Sequence, residues 1–421
     1  MITSIVLENF KCFRKIEVNP RLITVFVGPN GSGKSSVIQA LALLKQSVGS
    51  DQLNLQGPLV NLRSYEQLQP NFDADKGRLR LGFGGSYELS PSLVPALGKT
   101  AHFSYASELE RGRLTSSWGS ISFTDRDSVR TLKIDEHNDG GDPLDVTIGK
   151  PEVTFGFGHY NAIAQLLSLR AVIQGKNDWL SRNFPEVLAA PERILERLRL
   201  VPAARGLVQP FYSLGVGRAD DISLTGGLSQ QEQQTATNLG YSRALEVKLS
   251  GWLEKVTEVG LRAEVVPSQS VEVKALTPNG DVNIVAEGFG TNALILLFWQ
   301  LASAAKGATV MIEEPEIHLH PRAQANLASV MIDAAKAENK QIIMTTHSEH
   351  ILDRLLTLVA EQQLAIDELA IYAFEKDEKG VCSANWLEVL EDGRKIGGIK
   401  DFFDPHLEEL NRYVRALQTK K

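Results

Sequence analysis

The sequence predicts an α/β protein with a split, mostly parallel sheet, an antiparallel β lobe and an inserted helical region. Three observations support this prediction. An apolar run at residues 22–27 leads through a glycine-rich loop into a helical pattern, the last third of the chain alternates strands and helices, and short alternating runs lie between them. Strand–helix alternation is typical of a parallel sheet covered by helices. Since the first strand and helix lie near residue 25 and the remainder follows residue 290, the core is predicted to be split.

The N-terminal lobe is assigned to residues 1–158. Its opening predicts two short strands around a turn, the second being the run at residues 22–27, which suits a strand buried on both faces. Apolar residues at three- and four-residue spacing then predict a helix from Ser35 to about Ser47. Period-two runs predict an antiparallel meander with one solvent-exposed face, formed by RLRLGF, AHFSYA, SISFT, VRTLKID and LDVTIG.

Residues 159–265 are expected to be a mainly helical insertion, and residues 266–421 the C-terminal lobe. The sequence contains no sustained heptad repeat, so a long coiled coil is not expected. In the C-terminal lobe, Asn279-Gly280 lies between two alternating runs and predicts a β-hairpin. The elements predicted after it are helix 294–305, strand 309–312, helix 321–338, strand 341–345, helix 349–361 and strand 369–374.

Composition narrows the class of protein. The 421 residues include 43% apolar and 23% charged side chains, and the longest apolar stretch, at residues 293–305, is shorter than the roughly 20 residues that span a bilayer. The N-terminus lacks a signal-peptide pattern, and two cysteines 370 positions apart argue against a disulfide framework. A net charge of −7 means that nucleic-acid contact requires a local basic patch. A cytoplasmic protein without a membrane partner is expected.

The strongest motif is Gly28 to Ser35, which matches G-x-x-x-x-G-K-[ST] in full. Its glycines allow backbone N–H groups to curl around phosphate oxygens, and the helix that follows points its positive end at them. Lys34 is expected to reach the β- and γ-phosphates, and the Ser35 hydroxyl to ligate Mg²⁺. ATP and Mg²⁺ are therefore the predicted ligands. The residues assigned to them in this loop are Asn30, Gly31, Ser32, Gly33, Lys34, Ser35 and Ser36.

An apolar strand at residues 309–312 runs directly into Glu313-Glu314-Pro315. The carboxyl edge of a parallel sheet is where ligands bind, so both carboxylates are expected beside the phosphate loop. Glu313 is predicted to hold Mg²⁺ through water, and Glu314 to orient and deprotonate the attacking water. The alternative is a solvated acidic pair that starts a loop.

The next sheet strand ends at His347, which is expected to face the γ-phosphate and donate a hydrogen bond to the phosphate or the water. His318, His320, His347 and His350 lie within 33 residues, so a Zn²⁺ cluster is an alternative interpretation. No cysteine or third carboxylate at a suitable spacing supports it. His350 is instead expected at the start of a helix.

These segments together resemble the ABC-type ATPases of the SMC/RecF/OLD-like branch, described in prokaryotes as AAA-domain ATPases. The resemblance is carried by residues 6–13, 28–36, 312–321 and 345–348, and covers about 1–70 and 285–375. It implies an ABC-type P-loop NTPase core and a head-to-tail homodimer with two ATPs between the subunits. It also implies Glu313 as the Walker B acid, Glu314 as the catalytic base and His347 as the switch histidine, with residues 316–320 crossing to the partner subunit.

The sequence departs from the family at the signature segment, because it contains no LSGGQ. The best candidate is residues 287–292, in which Gly288 and Gly290 open a helix 25 residues before the Walker B acid. A second glycine pair, at residues 156–162, heads a similar helix, and both segments could be simple helix-capping turns.

Two further family features are left open. The Q-loop residue is not assigned, since Gln46, Gln52, Gln56, Gln67 and Gln69 all compete for it. Arg205 resembles an arginine motif in relatives, but a solvated arginine is the expectation. The run Arg193, Arg197 and Arg199 is expected to be a salt-bridged helix surface.

The resemblance implies ATP hydrolysis coupled to DNA repair, chromosome maintenance or anti-phage defence. Only about 45 residues follow the last core strand, so a separate effector protein is expected rather than a fused nuclease, and nucleic acid is a possible partner. The segment at residues 401–405 could dock such a partner or close the core. The alternative function is a slowly hydrolysing, ATP-gated scaffold that sequesters a nuclease or toxin. A transporter subunit and a GTPase fit less well, because LSGGQ and N-K-x-D are missing.

Overall fold

The computed structural model describes residues 1–48, 53–69, 78–88, 100–110, 113–125, 128–135, 152–155, 190–214, 228–397, 412, 413 and 415. The strands are β1 (Ile2–Phe10), β2 (Phe13–Val18), β3 (Ile23–Val27), β4 (Leu79–Glu88), β5 (Thr100–Glu110), β6 (Arg113–Asp125), β7 (Ser128–Asp135), β8 (Glu152–Phe155), β9 (Arg199–Val201), β10 (Tyr212–Ser213), β11 (Gly260–Val266), β12 (Ser270–Thr277), β13 (Gly280–Asn283), β14 (Thr309–Glu313), β15 (Gln341–Thr345), β16 (Leu369–Lys376), β17 (Cys382–Val389) and β18 (Lys395–Ile396). The α-helices are α1 (Lys34–Gln46), α2 (Ala190–Arg197), α3 (Leu228–Tyr241), α4 (Arg243–Thr257), α5 (Phe289–Ser303), α6 (Pro321–Ala337) and α7 (Glu349–Ala360).

The central sheet has the strand order β18-β17-β16-β3-β15-β14-β9, and β16, β3, β15, β14 and β9 are parallel. Strand β3 lies in the middle, with Val25 opposite Met344 on one side and Ile371 on the other. Its five residues are all buried. The split core is thereby confirmed, because a strand from the first 30 residues is inserted between two strands from the last third.

The central sheet has an apolar cluster on each face. Phe26 packs in a cluster with residues of α1, β1 and β4, whereas Val25 and Val27 pack on the opposite face with residues of α5, α6 and α7. Side chains alternate between the faces of a strand, so the continuous apolar run of β3 supplies both clusters. This arrangement fixes the loop between β3 and α1 at the carboxyl edge of the sheet.

A second sheet forms the β lobe, in the order β2-β1-β4-β5-β6-β7-β8. It contains one more N-terminal strand than expected, because β2 returns along β1 after a turn in which Asn9 and Lys11 have positive φ. Pairing is antiparallel up to β7, as expected, but β8 is parallel to β7, which corrects the purely antiparallel meander. The predicted strand at residues 144–149 and the glycine pair at 156–162 lie outside the described residues.

The segment expected to be mainly helical provides α2, α3 and α4, and it also contributes a strand to the core. In β9, Arg199 lies opposite Val310 of β14 and is 8% exposed, so it is not part of a salt-bridged helix surface. A three-residue strand is too short to show a periodicity, which explains why the sequence pattern missed it.

The C-terminal elements follow the predicted order. The hairpin of β12 and β13 closes at Thr277 and Gly280, and α5, β14, α6, β15, α7 and β16 then alternate as expected. Helix α5 begins five residues earlier than predicted, at Phe289 rather than residue 294. Within the described part of the chain, none of the helices combines the length and the apolar character needed to cross a membrane.

Candidate functional site

The loop between β3 and α1 is closed on one side and open on the other. A Cβ at Gly28, which has φ of 142°, would lie 2.3 Å from the backbone oxygen of Phe374 in β16. Only glycine allows this approach of two backbones. Gly31 has φ of 74°, and in the part of the chain that the structure describes no heavy atom lies within 4 Å of the Cβ position there. The loop therefore rests against β16 and has free space beside Gly31.

Lys34 is the first residue of α1, and its side chain folds back over this loop. Its Nζ donates hydrogen bonds to the carbonyl oxygens of Gly28 and Pro29, each at 2.9 Å. Burial lowers the Lys34 pKa to about 8, and the negative charges of Glu314 and Glu316 partly oppose this. These carboxylates thus lie within electrostatic reach of the loop lysine.

Glu313 and Ser35 meet at the mouth of the loop. Glu313 ends β14 and Ser35 is the second residue of α1. Burial raises the Glu313 pKa, while hydrogen bonds from the Ser35 hydroxyl and the Ala203 backbone N–H favour the ionised form. A hydroxyl and a carboxylate are hard oxygen ligands of the kind that Mg²⁺ binds.

Glu314 lies on a turn with unusual backbone geometry. Its φ is 44°, in the left-handed region that glutamate seldom adopts. The backbone N–H of Glu314 donates to the carbonyl oxygen of Thr345 at 3.0 Å, which ties the turn to the end of β15. We refer to residues 313–316 as the acidic turn.

His347 follows β15 and faces the same site. Its pKa is lowered by partial burial and then by the Lys34 cation, and it is raised in part by Glu314. The structure therefore brings together Lys34, Glu314 and His347, which are far apart in the sequence. A neutral imidazole at pH 7 follows from the lowered pKa, and such a ring can donate one hydrogen bond.

Glu316 is a site residue whose position the sequence did not predict. That the segment 316–320 crosses to a partner subunit stays a prediction. Within the chain, the Glu316 Oε1 accepts a hydrogen bond from the backbone N–H of His347 at 2.6 Å. Burial raises the Glu316 pKa. The sequence did offer one signal for this role, which is the third acidic residue, Glu316, two positions after the pair Glu313-Glu314. His318 and His320, farther along, are exposed.

The zinc alternative receives no support from the geometry. Across the described ranges, which include all four histidines between 318 and 350, no three His, Cys, Asp or Glu side chains group to hold a metal ion. His350 is the second residue of α7, as expected for a helix-start residue.

The signature candidate forms the beginning of α5. Gly288 is the N-cap, and none of the described residues places an atom within 4 Å of its Cβ position. A Cβ at Gly290 would lie 2.5 Å from the carbonyl oxygen of His318, so α5 and the segment after the acidic turn pack backbone to backbone. Phe289, between the two glycines, is 50% exposed. The centroids of its ring and of the His318 ring are 4.8 Å apart.

Arg205 and the glutamines that compete for the Q-loop lie outside the main motifs. Arg205 was expected to be solvated but is 2% exposed, so that expectation is wrong. Of the glutamines that compete for the Q-loop, Gln46 hydrogen-bonds the backbone of Val60, while Gln52 lies outside the described residues. The Q-loop residue stays unassigned.

The residues present fit a nucleotide with a divalent cation. The Ser32 Oγ is buried and has no hydrogen-bond partner among the described residues, although it lies in a loop that is open beside Gly31. The Lys34 ammonium donates hydrogen bonds to two neutral carbonyl oxygens. A negatively charged phosphate oxygen can replace them as acceptor and attracts the cation more strongly. Ser35 and Glu313 supply the oxygen ligands for the metal.

Comparison with known proteins agrees with this site. The AAA ATPase domain family matches residues 1–77 and 227–352, which contain the phosphate loop and the acidic turn. These two ranges are therefore similar to an AAA ATPase domain. This confirms the resemblance seen in the sequence. The domain is similar to the OLD nuclease of Thermus scotoductus, at 23% identity over 429 aligned residues that cover 99% of this chain and 71% of the relative.

Two further similarities cover different shares of this chain. An uncharacterized protein of Methanocaldococcus jannaschii is 27% identical over 115 residues, which are 27% of this chain and 96% of that protein. A solved SMC head bound to the C-terminal winged-helix domain of ScpA superimposes with a TM-score of 0.49 and 15% identity, covering 92% of this chain and 98% of that one. No functional property is transferred from so distant a likeness.

Proposed function

We propose that this protein binds ATP with Mg²⁺ and hydrolyses it. The observation that carries the proposal is the meeting of Ser35 with Glu313 at the mouth of a loop whose lysine is within reach of Glu314. Phosphoryl transfer to water needs a phosphate-binding cation, metal ligands and a group that orients the water, and these residues provide one of each.

Each residue has a defined task in this proposal. The Lys34 ammonium moves from the carbonyls of Gly28 and Pro29 to the β- and γ-phosphates. Ser35 and Glu313 would hold the metal ion. Mg²⁺ held there would neutralise negative charge on the phosphates. Glu314 accepts a proton from the attacking water, and the neutral His347 ring donates a hydrogen bond toward the γ-phosphate.

The proposed active form is a head-to-tail homodimer that encloses two ATPs. Gly288 and Gly290 at the start of α5 would face the partner's γ-phosphate with backbone N–H groups and the positive end of the helix. The open space beside Gly288 and the exposed ring of Phe289 support this role, since both leave the helix start accessible.

The proposed output is a DNA transaction or an anti-phage defence complex in the cytoplasm, in which a separate effector protein reads the ATP state. Similarity to a protein named as an OLD nuclease over nearly the whole chain supports a nucleic-acid context. The net charge of −7 favours contact through a local basic patch or through that effector.

Steady-state ATP turnover with and without double-stranded DNA tests the proposal. Glu314→Gln should lower turnover by on the order of 100-fold or more, while Glu388→Gln, an exposed glutamate on β17, should leave it unchanged. Stimulation by DNA that the Glu314 variant lacks would support the DNA role. Turnover above the Glu314 variant but indifferent to DNA would point to the protein effector. Equal background rates in wild type and Glu314→Gln would reject hydrolysis and favour the ATP-gated scaffold.

A further inference from the structure

Arg205 holds the backbone of the acidic turn. Its Nη1 donates to the carbonyl oxygen of Glu313 at 2.8 Å, and its Nη2 donates to those of Glu314 and Pro315 at 3.0 and 3.1 Å. One guanidinium thus binds three consecutive carbonyl groups. Its Nη1 also donates to the carbonyl oxygen of Pro202 at 3.0 Å, within the loop that follows β9.

The turn that Arg205 binds is one that needs support. Glu314 has a positive φ, which a non-glycine residue keeps only where its surroundings impose it. The Thr345 carbonyl holds the N–H side of Glu314, and Arg205 holds its carbonyl side. A change in φ or ψ at Glu314 would break at least one of these contacts and redirect the side chain.

The contacts require an arginine in particular. A planar guanidinium presents five N–H donors in a fixed fork, whereas a lysine ammonium is a point charge with three rotating donors. At 2% exposure no bulk water is available to replace a lost contact. Every hydrogen bond observed for this side chain goes to a backbone carbonyl oxygen.

We propose that Arg205 is a positioning residue for ATP hydrolysis. By fixing the carbonyls of residues 313–315, it sets the directions in which the Glu313 and Glu314 carboxylates leave the backbone, toward Ser35 and the loop lysine. In this role Arg205 acts through Glu313 and Glu314, since its observed contacts are to backbone carbonyl oxygens. This inference rests on the proposed function, because it assigns the geometry of the proposed metal ligand and base to a third residue.

Arg205→Lys separates positioning from simple stability, with the exposed Arg394→Lys as the matched control. We expect Arg205→Lys to lower kcat by on the order of 10- to 100-fold while the KM for ATP stays within about threefold, since misplacing a catalytic group by about 1 Å has effects of this size. Arg394→Lys should match wild type. An unchanged kcat in a folded Arg205→Lys, or a kcat that falls only in proportion to the folded fraction, would overturn the inference.

Chemical rescue provides a second, independent readout. In Arg205→Ala, millimolar guanidinium should restore several-fold of the lost turnover by occupying the vacated site, and it should not restore Glu314→Gln. Failure of rescue in folded Arg205→Ala, together with wild-type kcat in Arg205→Lys, would show that the side chain has no positioning role.

A binding measurement keeps the inference distinct from the proposed function. If wild type does not turn over, hydrolysis is rejected, but Mg²⁺ dependence of binding to a non-hydrolysable ATP analogue still reports on Glu313. We expect Mg²⁺ to tighten binding in wild type and Arg394→Lys, and to do so on the order of tenfold less in Arg205→Lys. An equal Mg²⁺ effect in all three proteins would overturn the positioning of Glu313.

Discussion

Asn292 binds both backbone polar groups of Leu207 through its side-chain amide. Its Oδ1 accepts from the Leu207 N–H at 2.7 Å, and its Nδ2 donates to the Leu207 carbonyl at 2.9 Å. Asn292 lies in the first turn of α5, and Leu207 is two residues beyond Arg205. The acidic turn and the signature-like start of α5 are therefore connected through one short segment, so a displacement of either can reach the other.

Replacing Asn292 by alanine should destabilise the protein. Two buried backbone groups would lose their partner, and each unsatisfied group costs about 1–3 kcal/mol. We expect the free energy of unfolding to fall by at least ~1.5 kcal/mol in urea denaturation. Asn385→Ala, at an exposed position on β17, should change it by less than about 0.5 kcal/mol. Equal effects of the two substitutions would show that the Leu207 contacts contribute nothing specific.

Two glycines of the phosphate loop should differ in tolerance to alanine. At Gly31 the new methyl group meets no heavy atom, so the cost is the positive φ alone, about 1–2 kcal/mol. At Gly28 the methyl group would also lie 2.3 Å from the Phe374 backbone oxygen, which cannot move without shifting β16. We expect Gly28→Ala to abolish binding of a fluorescent ATP analogue and Gly31→Ala to weaken it roughly tenfold. Equal affinities in the two variants would contradict this assignment of the loop's closed side.

ATP affinity should fall as pH rises through the Lys34 pKa of about 8. The Lys34 cation binds phosphate. In the protein without nucleotide, the Lys34 side chain is protonated below this pKa and neutral above it. Between pH 7 and pH 9 the protonated fraction drops about tenfold, and affinity should drop by a similar factor. His347, with a lowered pKa, is already neutral in this window and cannot produce the effect.

The control for the pH experiment is Lys34→Arg, whose guanidinium stays charged throughout the range. Its affinity is expected to be lower but independent of pH. A wild-type profile that is flat from pH 7 to pH 9 would mean that Lys34 does not supply the phosphate-binding charge.

The two thiols should be unreactive in the native protein. Cys12 and Cys382 lie together behind the phosphate loop, since the backbone N–H of Cys382 donates to the Cys12 carbonyl oxygen at 2.8 Å. Burial, and then hydrogen bonding with Cys382, raises the Cys12 pKa to about 12, and burial also raises that of Cys382. At pH 8 we expect alkylation of Cys12 to be on the order of a thousandfold slower than that of a free cysteine.

A denatured sample provides the reference for this measurement. Both cysteines of the chain should react at once in guanidinium chloride. Rapid labelling of the native protein would show that the region behind the loop is open to solvent.

The sequence was sufficient to predict those parts of the site that the parallel sheet positions. The phosphate loop, the pair Glu313-Glu314 and His347 each follow a buried parallel strand. The carboxyl ends of such strands meet at one edge of the sheet. Arg205 could not be predicted in the same way, because its partners are backbone carbonyls, which every residue has. Strand β9 is too short for a pattern, and the parallel pairing of β8 depends on contacts between strands rather than on the strand itself.

The central place of β3 has a consequence for synthesis of the protein. Its neighbours β15 and β16 begin more than 300 residues later, at Gln341 and Leu369. At about 5–20 residues per second, a ribosome needs roughly 15–60 s to deliver them. During that time an apolar strand and the loop lysine have emerged without the partners that bury them. Chaperone dependence during translation, rather than spontaneous early folding, is therefore expected for the N-terminal segment.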